Sequence, residues 1–177
     1  MSWDVLLLNA PAALHQLPED FDESTLPRLG ALHAVRGIIQ QLFPAVDFTD
    51  PHWGDLEATD YTIEFNVGED DPVTSVLLHI RGEDGALSVV QALCGRAGWR
   101  AFGPDGTALD FAADPARGLR EWRAFRDKGI AEARAQGKSV LISPRINGVR
   151  FDTLVQAPSS VTARPWWRFW GRSGGAA

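Results

Sequence analysis

Residues 61–67, YTIEFNV, alternate without a break: Tyr61, Ile63, Phe65 and Val67 are apolar, and Thr62, Glu64 and Asn66 between them are polar. Successive side chains of a strand point to opposite faces, so a period of two predicts a strand with one buried and one solvated face. The turn residues GEDDP follow, and VTSVLLHIRG then predicts a second strand, completing a hairpin. With Val76, Leu78 and Ile80 on the apolar side, Thr62, Glu64, Asn66, Ser75, Leu77, His79 and Arg81 share the opposite one. Such a hairpin needs helices on one side only.

The flanking segments supply them. WDVLLLN at the start is a short continuous apolar run, as in a buried strand. Residues 26–43, LPRLGALHAVRGIIQQLF, place apolar side chains at 29, 32, 35, 38, 39 and 42, which predicts a helix with Ser24 or Thr25 as N-cap and Pro27 in the first turn. AVDFTDPHWGDLEATD reads as a short extended piece followed by a loop. GEDGALSVVQALCGRAG predicts a second helix capped by Asp84, and WRAF, GPDG and ALDF read as strand, turn and short strand. The order is βαββαβ, so the expected class is α+β. The expected arrangement is the ferredoxin-like split βαβ, an antiparallel sheet with two helices on one face.

Beyond residue 112 the character changes. Residues 1–112 hold 18 acids against 5 Lys and Arg, whereas residues 113–177 hold 12 basic residues against 5 acids. We therefore expect an acidic domain over 1–112 and a basic extension over 113–177 packed on it. The extension begins with a helix, DPARGLREWRAFRDKGIAEARAQGK, with Asp114 as N-cap, Pro115 at its first position and Gly137 at its end. Its apolar residues 119, 122, 125, 130 and 133 make a narrow stripe. A hairpin around Asn147-Gly148 follows, a type I′ signal, and then the tail PWWRFWG with Trp166, Trp167 and Trp170.

Several classes are excluded on composition. A chain of 177 residues buries about 68 to 70% of its unfolded surface, enough for a full core. Cys94 is the only cysteine, which rules out an internal disulfide and a multi-cysteine metal site. The start lacks a basic n-region and is interrupted by Asp4, Asn9 and Pro11, so a secretory leader is not expected. With no apolar run of about 18 residues, integral membrane insertion is not expected either. The expected location is the cytoplasm. GEDG lacks the lysine of a phosphate-binding loop, and VTSVLLHIRG lacks the aromatic platform of an RNA-recognition domain, so no nucleic-acid partner and no nucleotide cofactor are expected.

Between Arg36 and Arg81 there is no Lys or Arg, but there are nine carboxylates: Asp47, Asp50, Asp55, Glu57, Asp60, Glu64, Glu69, Asp70 and Asp71. Such a segment raises a negative field that steers basic partners. Its bland reading is a solvated surface neutralised by the chain's own basic segment. Asp47, Asp50, His52 and Asp55 are also acceptable metal ligands by type, although their spacing matches no known metal loop, and no metal is expected. His79 with Glu64 is a candidate acid–base pair, with a surface ion-pair group as its bland reading. The tail tryptophans suit a partner's pocket, a membrane interface or the chain's own core.

The stretch FPAVDFTDPHWGDLEATDYTIEFNVGEDDPVTSVLLHIRG, with the opening MSWDVLLL, resembles a group of small stand-alone bacterial cytosolic proteins. In size and charge the chain is similar to toxin-immunity proteins. The resemblance covers residues 1–112 and carries over no functional residue; it is the acidic segment without Lys or Arg that points to a non-catalytic binding module without cofactor whose partner is a basic protein, such as a toxin domain. On this reading the partner-binding residues are Asp47, Asp50, Trp53, Asp55, Glu57, Asp60, Glu64, His79, Trp166, Trp167 and Trp170, and a homodimer is also open. The competing expectations are a small hydrolase, using His52 with Asp50 and Asp55 or His79 with Glu64, and a peripheral membrane protein held by its tail.

Overall fold

The computed structural model describes residues 2–136 together with the backbone of 145–146 and 149–150. The Trp166, Trp167 and Trp170 tail lies outside the described residues. The class is α+β: a six-stranded antiparallel sheet with helices on one side. The strands are β1 (Trp3–Leu8), β2 (Asp47–Asp50), β3 (Trp53–Glu57), β4 (Tyr61–Asn66), β5 (Ser75–Gly82) and β6 (Arg100–Phe102), in the order β2-β3-β4-β5-β1-β6. The helices are α1 (Leu32–Leu42), α2 (Ala86–Ala97) and α3 (Arg117–Ala135). A separate two-stranded ladder pairs β7 (Arg145–Ile146) with β8 (Val149–Arg150), the hairpin that Asn147-Gly148 predicts.

The alternation in β4 and β5 sets the inner face. Phe65 lies opposite Leu78, which lies opposite Val5, while Val76 lies opposite Leu7, which lies opposite Ala101. These side chains are buried against Val35 and Ile39 of α1 and Leu87, Val90 and Leu93 of α2, with Leu119 of α3 closing the same core. Completely burying such residues contributes about 1.5–3 kcal/mol each, which makes this face the main source of stability.

Four local expectations are corrected. The sheet has six strands rather than four, because DFTD and WGDLE, expected as an extended piece and a loop, pair as β2 and β3 at the edge of β4. Gly54 permits this: a Cβ there would come within 2.7 Å of the Phe48 ring, so the missing side chain leaves room for Phe48 to fold under the hairpin. ALDF forms no strand; it makes one bridge, Phe102 to Ala108, and one backbone bond from Leu109 N–H to Ala101 O at 2.8 Å. The first helix begins at Leu32 rather than after Ser24 or Thr25, which sit in a 3-10 turn capped by Asp22. The Leu32 N–H instead donates to Oδ1 of Asp71 at 3.1 Å, a carboxylate brought from the β4–β5 connection to the helix's positive end. Finally, Gly85 rather than Asp84 occupies the cap of α2, and no side chain caps that helix.

The third helix is anchored through its first half. Gly118 packs on Trp3, and the Arg123 guanidinium, 17% exposed, donates to Gly82 O at 2.8 Å and pairs with Glu83 and Asp84. Gly82 is itself obligatory: its φ is +107° and a Cβ would meet Asp60 O at 2.2 Å. Phe125, expected within the apolar stripe, is instead 72% exposed, because it is displaced around the helix from Leu119, Ile130 and Ala133, which are buried.

Candidate functional site

The outer face of the sheet carries the alternate residues, and the strand register orders them into rows. One row runs Asp47, Asp55, Glu64, His79, Asp4 across β2, β3, β4, β5 and β1. The next runs Trp53, Asn66, Leu77, Leu6, Phe102. A third begins Glu57, Thr62, Arg81. Thus four carboxylates and one imidazole face the same way from five neighbouring strands.

This face is divided. At the β1–β6 end, Leu6, Leu8, Leu77 and Phe102 are buried under Leu14, Leu17, Phe21 and Leu26 of the long connection after β1. That connection is stitched down by Leu17 N–H to Gly106 O at 2.9 Å and Ala108 N–H to His15 O at 2.9 Å. This connection does not extend over β5 and β4, and there the described residues form a shallow depression of about 400 Å3 lined by Ser2, Asp4, Glu64, Asn66, Leu77, His79 and Arg81.

Inside the depression the polar groups are ordered in pairs. Arg81 donates to both Glu64 oxygens, at 2.6 and 3.4 Å, the two-point geometry that distinguishes a guanidinium from an ammonium. His79 Nδ1 lies 2.8 Å from Asp4 Oδ1, and Ser2 Oγ donates to the same oxygen at 2.7 Å. The carboxylate partner of His79 is therefore Asp4 and not Glu64, as the sequence suggested. Trp53 reaches back over the sheet and stacks on His79, with ring centroids 5.6 Å apart and planes at 24°.

The remaining expected site residues separate into two groups. Asp47, Asp55 and Glu57 join the outer face with Trp53. Asp50, at the end of β2, accepts from the His52 N–H at 2.8 Å, and the His52 ring places Nδ1 at 2.7 Å from Gly68 O, so both serve the β2–β3 turn. Asp60 sits in the turn before β4, where its carbonyl accepts from Glu83 N–H at 2.9 Å and a Cβ on Gly85 would come within 3.1 Å of its carboxylate; it belongs to the start of α2 and not to the row. Among the described residues no group of three His, Cys, Asp or Glu side chains is placed to hold a metal ion. Burial pushes the Cys94 thiol up to about 12, so it is protonated and inert as a nucleophile at neutral pH.

Asp4 and Ser2 escaped the sequence reading. WDVLLLN is a strand buried on both sides, as its apolar run predicts, with Trp3, Val5 and Leu7 on the inner face and Leu6 and Leu8 on the outer one beside the half-buried Asp4. A single acid at the start of an apolar strand was the available signal.

No helix among the described residues is long and apolar enough to cross a membrane. Comparison with protein-family models, with curated proteins and with solved structures finds no match to this chain.

Proposed function

We propose that the protein is a non-catalytic, cytoplasmic binding module, of the toxin-immunity kind, that uses the open half of the outer sheet face to occupy a basic protein. The observation that carries this reading is the row Asp47, Asp55, Glu64: like charges directly opposite one another on neighbouring strands. Carboxylates gathered on one side of the face raise a negative field, which draws a cationic partner. Complementary charge on a partner raises association rate and specificity, and Trp53 at the margin supplies the kind of aromatic anchor on which affinity concentrates. On the same reading, β6-β1-β5-β4 with α1 and α2 is a ferredoxin-like unit and β2–β3 is a hairpin added at its edge; the strand order supports this.

The test is capture of a partner by the full chain and by the Asp55→Lys, Glu57→Lys double variant. A single basic protein held by the first and lost by the second, with retention that weakens as salt rises, is the expected outcome. Equal retention with equal salt dependence sinks the proposal.

The Asp4–His79 contact favours one further reading, acid–base chemistry in the depression. Against it, Ser2 is turned to the carboxylate rather than to the imidazole, so no serine–histidine pair is formed. Hydrolysis of an activated ester that disappears in His79→Gln would establish this reading over the first.

A further inference from the structure

We infer that residues 18–27 form a flap over the outer core, held shut while Glu23 keeps its proton and loosened when the proton leaves. Three features lead to it, and none depends on what the outer face binds.

The first is how the connection between β1 and α1 is fastened. Residues 9–31 hold one turn of 3-10 helix and no strand, and a loop of that length in a compact domain is most often a functional element rather than a plain link. Its two ends are tied to the body. Gln16 bridges to Thr107 and Leu17 N–H donates to Gly106 O at 2.9 Å; Gly30 bridges to Val73 and Leu29 N–H donates to Val73 O at 2.8 Å. Between these ties, among the described residues, every hydrogen bond of residues 18–27 is internal, as in Phe21 N–H to Pro18 O at 3.1 Å and Leu26 N–H to Glu23 O at 3.1 Å. What seats this segment is apolar contact: Phe21 and Leu26 pack on the cluster of Leu6, Leu8, Leu77 and Phe102. A segment with anchored ends and no hydrogen bond to the body opens at lower cost than the core beneath it.

The second is Glu23 itself. It sits half-buried in the 3-10 turn, and the groups that face it are Ser75 from β5, Asp70 from the β4–β5 connection, and Asp22 and Arg28 from the same connection as Glu23. Among the described residues no ion pair neutralises it. Arg28 Nη1 donates instead to Thr74 Oγ1, and the Ser75 hydroxyl, 3% exposed, stands near the carboxyl without reaching hydrogen-bond geometry with any group. Burial raises the Glu23 carboxyl above the usual glutamate range, with Asp70 and Asp22 adding to it and Ser75 and Arg28 opposing it. A neutral carboxyl thus suits the closed position, whereas an ionised one is desolvated beside a second carboxylate and regains its water when the flap lifts.

The third is what lies beneath. Leu8 is fully buried and stands in register with Ser75, and Leu77 belongs both to the covered cluster and to the lining of the depression. Lifting the flap therefore extends an apolar wall from the depression toward β1, so the charge on Glu23 sets how much of this face can be touched.

The test is thiol accessibility. Ser75→Cys puts a thiol under the flap with little change in size, and the one native cysteine, Cys94, packs against the inner-face core. Labelling of each by N-ethylmaleimide, located by peptide mass, is followed in the full chain from about pH 5 to about pH 8 and divided by the rate of a free cysteine peptide at the same pH, which removes the ordinary rise in thiolate. The relative rate at position 75 should climb at least about threefold across that range, since the opening equilibrium follows the difference in proton affinity between the two positions of Glu23. With Glu23→Gln added, it should stay at its low-pH value, and Cys94 should stay unlabelled throughout. Leu8→Cys, beneath the same flap, repeats the measurement should Ser75→Cys disturb the fold. A relative rate that is flat with Glu23 in place, or equally steep in Glu23→Gln, overturns the inference. Labelling of Cys94 in step with position 75 overturns it too, because the whole fold is then opening.

Discussion

The two faces of the central sheet are made by the same strands, one residue out of phase, and they obey different rules. On the inner face every row is apolar from β3 to β6 and is covered by α1, α2 and the start of α3. On the outer face a single row changes character along its length: Phe102, Leu6 and Leu77 are buried under the connection after β1, while Asn66 and Trp53 of the same row stand at the open end. The neighbouring row, four carboxylates and His79, is balanced within the face, where Arg81 pairs with Glu64 and His79 with Asp4. The inner face is thus built by burial throughout, and the outer face only as far as the loop reaches; beyond that limit ion pairs and hydrogen bonds take over.

This contrast can be broken by substitution. The largest effect belongs to the inner face: Phe65→Ala empties a fully buried site and should cost about 3–5 kcal/mol in urea denaturation. Phe102→Ala, equally buried but on the outer face, should also cost about 3 kcal/mol, showing that the loop-covered half is core. A loss under half that size would mean the connection after β1 is only loosely laid down. Next comes Asp71→Ala, which removes the acceptor at the start of α1 and should cost about 1 kcal/mol, read as a lower melting midpoint with an unchanged denaturant slope. The open half should respond more weakly. Asp55→Asn with Glu57→Gln keeps the size and polarity of both side chains, so stability should change by less than about 0.5 kcal/mol while association with a basic partner slows.

The smallest effect comes from Glu23, in the connection under which the outer core is buried. Burial raises its carboxyl above the usual glutamate range, and the neighbouring Asp70 adds to this. Because its pKa is higher in the folded than in the unfolded chain, the native state binds more protons between the two values. Its contribution is thus most favourable below the ordinary glutamate pKa and is lost as pH rises through the raised folded one. Glu23→Gln should flatten that decline and add about 0.5 kcal/mol at neutral pH, checked by denaturation at several pH values across the window.

The legibility of the molecule follows the same division. Alternation in YTIEFNV and VTSVLLHIRG placed Ile63, Phe65, Val76, Leu78 and Ile80 inside and Glu64, Asn66, His79 and Arg81 outside, and the structure has them so. Helical spacing located α1 and α2 to within a turn, apart from the late start of α1. Two of the features that escaped are non-local. The cap of α1 comes from Asp71, 39 residues away in sequence, and the partner of His79 from Asp4, 75 residues away. The β2–β3 hairpin was hidden by DPHWGD, whose Asp, Pro and Gly read as loop although only Pro51 and His52 lie between the strands and Asp50, Gly54 and Asp55 belong to them.

By itself, then, the sequence determined which side of each strand is dry, because hydrophobic periodicity is a local property that any compact arrangement must respect. It also determined that residues 37–80 are rich in acids without a Lys or Arg among them. Only the tertiary structure decided which acids stand together. Register between strands turned Asp47, Asp55, Glu64 and Asp4 into one row around His79, and it sent Asp60 and Asp71 to the starts of two helices. Cross-strand neighbours are set by how far each strand slides against the next, and that shift is chosen by the packing of the whole inner face rather than by any residue in the row.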